Sequence, residues 1–363
     1  MRSIIDITDL EVAEVGQLLE TAHEIIADPR KYQQAAGGKI LATLFYEPST
    51  RTRLSFESAM YSLGGNVISV PSASNSSAAK GETISDTLKV VSNYADIVAI
   101  RHPNDGAALA ACEAAGVPVI NAGDGGHFHP TQTLADLLTI ERHFGKLEGL
   151  TIVCVGDLLY GRTVHSLLHA MIRYPKNRFV MVSPDELRLP AEFSHRIREA
   201  GGELAETSVL AEALAEADVI YMTRVQQERF ADREQYERLK DAFILDSQMM
   251  EAASEAAIVL HPLPRVNEIS VDFDNDPRAK YFEQTFNGKI MRAALIKFLL
   301  ADAVRNPQKV QRDEIAAAEL IAASTNSALS CTNSRCVTHI ERGIRLRAHL
   351  EHRTCVYCGF VMG

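Results

Sequence analysis

No apolar run in this chain approaches the roughly 20 residues a membrane-spanning helix needs. The opening Met1-Arg-Ser-Ile-Ile-Asp-Ile-Thr-Asp places acids where a secretory leader needs an apolar stretch. A cytoplasmic protein without a membrane partner is expected. A basic surplus is lacking too: 37 Lys and Arg face 47 Asp and Glu, a formal charge of −10. That balance argues against a general nucleic-acid or anionic-membrane binder, so any anion site must be a local concentration of arginine. The glycines form no G-x-G-x-x-G, and Gly156-Asp-Leu-Leu-Tyr-Gly-Arg-Thr lacks the lysine of a phosphate-binding P-loop. No nucleotide or organic cofactor is expected, and no internal repeat is visible. Tryptophan is absent, but 46% hydrophobic and 23% charged residues are the make-up of a soluble globular protein.

What is present is a long alternation of short apolar runs and helical periodicities. Leu10, Val12, Val15, Leu18, Leu19, Ala22, Ile25 and Ile26 share one helical face. Strands are expected at 40–45, 66–70, 97–100 and 117–120, then at 150–155, 179–182, 219–223 and 257–260. Helices lie between them, and a helix at 290–304 closes the series. The fold class expected is α/β: two doubly wound parallel-sheet domains with an interdomain cleft, plus a small C-terminal four-cysteine domain. The boundaries read as 1–135 with 288–305, then 136–287, a linker at 306–328, and the cysteine domain at 329–363. Pro71 to Gly81 is Ser- and Ala-rich and aperiodic. It is long for a loop inside such a series and carries Lys80.

The densest polar chemistry follows the first strand, in Phe45-Tyr-Glu-Pro-Ser49-Thr50-Arg51-Thr52-Arg53. Free N–H groups and the positive end of the dipole favour an anion at a helix start. Three hydroxyls and two guanidiniums there suit a tetrahedral oxyanion. Each alone would pass for a solvated helix cap; together they predict a phosphate site. Other candidates also sit past strand ends: Arg101, His129 with Gln132, Arg162, Arg224 with Gln226, and His261-Pro-Leu-Pro-Arg265. The inventory is rich in guanidinium and holds no evident nucleophile, which suits substrates carrying phosphate and carboxylates. Beside such cations His129 is expected to be a neutral donor.

Cys112 and Cys154 sit in apolar surroundings, whereas Cys331, Cys336, Cys355 and Cys358 fall in the last 33 residues. Two close pairs, with 18 residues between them, suit a tetrahedral all-thiolate zinc site. Four protein ligands leave no open position, so the zinc would be structural and would fold the segment. Disulfides are disfavoured in a reducing cytoplasm. A nucleic-acid reader using Arg342, Arg345, Arg347 and Arg353 ranks below a protein-docking role.

Together, Phe45-Tyr-Glu-Pro-Ser-Thr-Arg-Thr-Arg, His129-Pro-Thr-Gln, Val155-Gly-Asp-Leu with Gly161-Arg-Thr-Val-His-Ser, Met222-Thr-Arg-Val-Gln and His261-Pro-Leu-Pro-Arg resemble the aspartate carbamoyltransferase family over about residues 1–305. The tail resembles the zinc domain of that family's separate regulatory chain, here fused to the catalytic chain. The resemblance implies transfer of a carbamoyl group from carbamoyl phosphate to L-aspartate in de novo pyrimidine biosynthesis. It makes residues 1–135 with 288–305 the carbamoyl-phosphate domain and 136–287 the aspartate domain. Ser49, Thr50, Arg51, Thr52 and Arg101 would hold the phosphate. Thr52, Arg101 and His129 would donate to the carbonyl oxygen, and Gln132 with the backbone at Pro262, Leu263 and Pro264 would accept from the amide. Arg162, Arg224 and Gln226 would bind aspartate. Ser76 and Lys80 would enter a neighbouring subunit's site, which makes a homotrimer the minimal active unit and leaves pairing of trimers open. The family's loop often has two adjacent lysines where this chain has Ala79-Lys80. The alternatives are an ornithine or other amine-acceptor carbamoyltransferase, or a zinc-stabilised non-catalytic scaffold.

Overall fold

In a computed structural model of the protein, residues 1–225, 233–306, 308, 319–320, 330–349 and 353–363 are described. They fall into two compact units, Met1–Thr131 with Lys289–Gly363, and Gln132–Gly288.

The first unit opens with α1 (Val12–Ala27), whose Val15, Leu18, Leu19, Ala22 and Ile25 are buried at helical spacing. Then follow β1 (Ile40–Phe45), α2 (Thr50–Ser62), β2 (Asn66–Val70), α3 (Ile84–Val91), β3 (Ile97–His102), α4 (Ala107–Ala114) and β4 (Val119–Asp124), while α5 (Pro130–Phe144) has its first two residues in this unit and the rest in the second. The four strands form a parallel sheet in the order β2-β1-β3-β4. β1 is nearly all apolar because neighbours cover both its edges and both its faces. Burying each of Leu41, Leu44, Val98 and Ile100 contributes about 1.5–3 kcal/mol. The aperiodic 71–81 segment forms two short 3-10 turns, Ala73–Asn75 and Ser77–Lys80.

The second unit holds β5 (Thr151–Val155), α6 (Arg162–Met171), β6 (Arg178–Val182), α7 (Ala191–Glu199), β7 (Glu203–Thr207), α8 (Leu210–Leu214), β8 (Val219–Met222), α9 (Arg233–Leu239) and β9 (Ile258–Leu260). Its parallel sheet runs β7-β6-β5-β8-β9, wound outward from β5 in both directions. β7 is absent from the sequence expectations because Glu203-Leu-Ala-Glu-Thr is an edge strand with no fully buried residue. The closing helix α10 (Tyr281–Arg305) begins nine residues before the expected Ile290. Gln284, Thr285, Asn287 and Gly288 break its apolar pattern, yet Gln284 and Asn287 are buried.

The third sheet is antiparallel: β10 (Glu319–Leu320), β11 (Arg347–His349) and β12 (Thr354–Cys355). Most of the expected 306–328 linker lies outside the described residues. The chain end is tied in by bridges from Met362 to Cys331 and from Val361 to Thr354. The cysteine segment shares the first unit's core, with Val337, Ala348, Tyr357 and Met362 in one cluster with Leu88, Val98 and the alanines of α4. This packing explains why α4 is Ala-rich: small side chains let the segment come close. A Cβ on Gly106 would lie 2.5 Å from the Tyr357 carbonyl oxygen. Around the seam, Tyr357 donates to Glu113 (2.7 Å) and Arg347 pairs with Glu113 (3.3 Å). The Glu341 carboxylate accepts from the Ile84 N–H at the start of α3 (3.0 Å), where the helix dipole favours an acid.

Candidate active site

The β1–β3 register sets Phe45 opposite Arg101, and the Tyr46 N–H donates to the Arg101 carbonyl at 2.8 Å. Arg101 thereby lies beside the turn between β1 and α2. Its guanidinium, 9% exposed, reaches Glu47 (2.6 Å) and the Ala122 carbonyl (3.3 Å). Ser49 is the N-cap of α2, but its side chain makes no capping hydrogen bond, so the first-turn N–H groups keep their donor capacity. Arg51 is exposed and has no ion pair or hydrogen bond among the described residues; partial desolvation lowers its pKa from a high starting value. Thr52 is half-buried and Thr50 exposed. Arg53 departs from the expected cradle. It pairs with Glu57 one turn on (3.2 Å) and donates to Ser69 on β2 (3.3 Å).

His129 precedes α5 and is 5% exposed. Arg101 and His129 meet across Gly123, whose φ of +114° excludes most side chains. A Cβ there would lie 2.7 Å from Arg101 Nη1 and 3.3 Å from His129 Cδ2. The loop back to His129 is held by two carboxylates. Asp124 accepts from Asn121 (2.8 Å), Gly106 N–H (2.9 Å) and Phe128 N–H (3.3 Å). Asp105 accepts from Gly126 N–H (2.6 Å) and, on its other oxygen, from Asn333 of the cysteine segment (2.8 Å). Buried Arg292 on α10 donates to Ser55 (3.0 Å) and Thr131 (3.2 Å) and lies over Phe56, joining α2 to the start of α5. Sequence reasoning missed Asp105 and Arg292, because neither stands in a recognisable motif; Gly123 lies in the glycine- and histidine-rich stretch from Asn121 to Gln132, which follows a strand and reads as active-site material.

In the second unit, the ends of β5 and β8 carry Arg162 and Arg224. Thr223 ties them by donating to the Val155 carbonyl (2.8 Å) and accepting from Asp157 N–H (3.1 Å). Both arginines are half-buried. Arg162 is the first residue of α6, whose N-cap is Gly161. His261 Nδ1 accepts from Leu263 N–H (2.7 Å) and its Nε2 meets Glu268 (2.7 Å). Burial pulls the His261 pKa down, against the raising effect of Glu268, and the charges of Arg224 and Arg265 act in the same direction as burial. Leu263 has φ +53° and forms a cis bond to Pro264. A left-handed non-glycine residue is the kind of local strain that collects at binding sites. Gln132 donates to Asp136 at 2.8 Å. Gln226 lies outside the described residues. In the first unit, Ser76 closes its own turn with Ala73 and Ala78, and Lys80 is exposed.

The sulfurs of Cys331, Cys336, Cys355 and Cys358 all lie within 4.8 Å of one another, and all four residues are buried. Sγ separations are 3.4 Å for Cys331–Cys358 and 3.8 Å for Cys336–Cys355, too long for disulfides. Metal–sulfur bonds of about 2.3 Å in a tetrahedron give sulfur–sulfur edges of about 3.8 Å, so the group could hold a metal ion. Hydrogen bonds from Cys355 and Cys358 lower the pKa of the Cys336 thiol. Thr338 donates to its sulfur (3.2 Å), and His339 Nε2 donates to the Cys331 carbonyl oxygen (2.7 Å).

Residues 2–142 match the family described as aspartate/ornithine carbamoyltransferase, carbamoyl-P binding domain, and residues 148–299 match its Asp/Orn binding domain. The chain is 55% identical over 301 residues to the aspartate carbamoyltransferase catalytic subunit of Lachnoclostridium phytofermentans, covering 83% of this chain and 98% of that one. Its fold is similar to the catalytic subunit of M. jannaschii aspartate transcarbamoylase (TM-score 0.77, 45% identity, 83% of this chain and 99% of that one). It is also similar to aspartate transcarbamoylase of Trypanosoma cruzi in complex with carbamoyl phosphate and aspartate (TM-score 0.77, 37% identity, 82% and 96%). On its two parallel-sheet units and this identity over most of its length, the chain belongs to the aspartate carbamoyltransferase family.

Proposed function

We propose that the protein transfers the carbamoyl group of carbamoyl phosphate to the α-amine of L-aspartate, giving N-carbamoyl-L-aspartate and phosphate, the second step of de novo pyrimidine biosynthesis. The observation that carries this reading is the meeting of Arg101 and His129 across Gly123, beside the start of α2. Ser49, Thr50, Arg51, Thr52 and Arg101 hold the phosphate. The amine attacks the carbamoyl carbon, and negative charge grows on its oxygen toward Thr52, Arg101 and His129. Each such donor typically supplies ~2.7–4 kcal/mol of transition-state stabilisation. The carbon–oxygen bond to phosphate then breaks, the amine gives up a proton, and phosphate departs with the bonding pair. Gln132 and the carbonyls at Pro262, Leu263 and Pro264 accept from the carbamoyl amide. Arg162, Arg224 and Gln226 take the aspartate carboxylates. No covalent intermediate is needed, because positioning supplies much of the rate.

The four cysteines would hold a structural zinc ion, and the segment would be the counterpart of the regulatory chain's zinc domain, fused to a catalytic chain. Ser76 and Lys80 would serve a neighbouring subunit in a cytoplasmic homotrimer, with Lys80 taking the work of two lysines. The test is an assay of carbamoyl phosphate with aspartate against ornithine. Turnover with aspartate alone is expected; faster turnover of ornithine overturns the acceptor, and no transfer to either favours the scaffold.

A further inference from the structure

Asp136 on α5 is fully buried, one turn after Gln132. One of its oxygens accepts from Gln132 Nε2 (2.8 Å) and Gln284 Nε2 (2.5 Å), and the other from the Tyr221 hydroxyl (3.1 Å). A carboxylate only accepts, so each glutamine must show it the NH2 end and turn its oxygen away. Gln284 spends that oxygen on the His261 N–H (3.0 Å). His261 Nδ1 in turn accepts from Leu263 N–H, which leaves the proton on Nε2 for Glu268. A single carboxylate therefore fixes which end Gln132 and Gln284 turn toward it, and Gln284 passes this on by accepting the His261 N–H. An asparagine would fill the same space at a smaller desolvation cost. It would not set polarity, since it can offer either end. The hydroxyl of Tyr221 and the thiol of Cys154 stay protonated beside it: burial raises both, Cys154 to about 12, and the charge of Asp136 adds to it.

We propose that Asp136 is a positioning residue that orients the Gln132 amide with its oxygen toward the substrate's N–H donors, and so selects a carbamoyl group over an acyl group of the same shape. The inference rests on the role given to Gln132 above. The probe is acetyl phosphate, which carries a methyl group where carbamoyl phosphate carries its amide. In Asp136→Asn the Gln132 amide can turn over and present NH2 to the substrate. kcat/KM for carbamoyl phosphate is expected to fall roughly 10- to 100-fold, the cost of losing one acceptor for a buried donor. The inhibition constant of acetyl phosphate should move less than about threefold. A purely structural role would weaken both ligands alike. Gln132→Ala separates the two readings. If it collapses the preference and a folded Asp136→Asn does not, the inference falls and the role of Gln132 stands. If Gln132→Ala keeps the preference, both fall. Should Asp136→Asn not fold, a crystal structure of the unaltered protein with phosphonoacetamide decides. Gln132 bridging the ligand amide and Asp136 supports the inference, and Gln132 rotated off Asp136 overturns it.

Discussion

The start of α2 and the cysteine segment are both polar, ligand-ready stretches, yet they are held in place by opposite means. Ser49–Thr52 sits where a buried strand stops, and the β1–β3 register delivers Arg101 beside it. Its order comes from sheet burial beneath it. The cysteine segment has three strands of two or three residues, too few to be stable alone, and an apolar share borrowed from α3 and α4. On the reading proposed above, a metal ion held by its four clustered sulfurs would supply the rest. The family matches end at residue 299, before the first of these cysteines. A site built on a sheet should therefore survive loss of its ligand, whereas a segment built on a metal should not.

Metal removal breaks the comparison most forcefully, because structural zinc contributes on the order of 10 kcal/mol to folding of small domains. Chelation, or Cys336→Ser, is expected to abolish hydrogen-exchange protection over 331–349 and 353–363. Protection of the α4 face that packs on Val337, Ala348 and Tyr357 should fall as well. Both parallel sheets should keep their circular dichroism. Unchanged protection in the tail would mean that borrowed apolar packing suffices. Asp105, shared by Asn333 and the Gly126 N–H, gives the melted segment a route to the His129 loop, so a partial fall in turnover should accompany the loss.

Within the first region, the two arginines of one motif should behave differently. Arg51→Ala is expected to lower kcat/KM by about 10²–10³, the cost of one transition-state donor, with the unfolding midpoint unchanged because the side chain is exposed and unpaired among the described residues. Arg53→Ala should cost at most about 1 kcal/mol of stability through its pair with Glu57, and far less activity. Equal loss of turnover in the two variants would restore the cradle of two guanidiniums.

This split marks where sequence reading stops. Strands β1, β3, β5 and β8 were legible because buried parallel strands are apolar runs, and the phosphate turn because five donors crowd one helix start. The cysteines were legible because thiols have few roles in pairs. Arg51 and Arg53 look alike in sequence; only the position of Glu57 and Ser69 tells them apart. Edge strand β7 hid in polar residues, and the polar first turns of α10 hid in the same way. Gly123 and Asp136 act through neighbours distant in the chain, Arg101 in one case and Gln284 and Tyr221 in the other. No spacing rule reaches that far.

The pH dependence gives the finest separation, through His102. It ends β3, is 8% exposed, accepts the Asn104 N–H on Nδ1 (3.2 Å) and stacks edge-on against Tyr46 (5.4 Å). Burial depresses its pKa from 6.5 to about 4, although the Asp124 carboxylate pulls the other way. In the unfolded chain the imidazole takes up a proton below about pH 6.5, while in the folded chain it stays neutral until about pH 4. The unfolded state therefore binds more protons between these values, and stability falls as pH falls through the window. The full loss is at most roughly 3 kcal/mol, from about 1.36 kcal/mol per unit. Urea midpoints of the first unit should decline from pH 6.5 to 4, and His102→Asn should flatten that decline without changing the tail's response to chelation. A slope that persists in the variant would move the titration to another group and detach it from the strand end that presents Arg101.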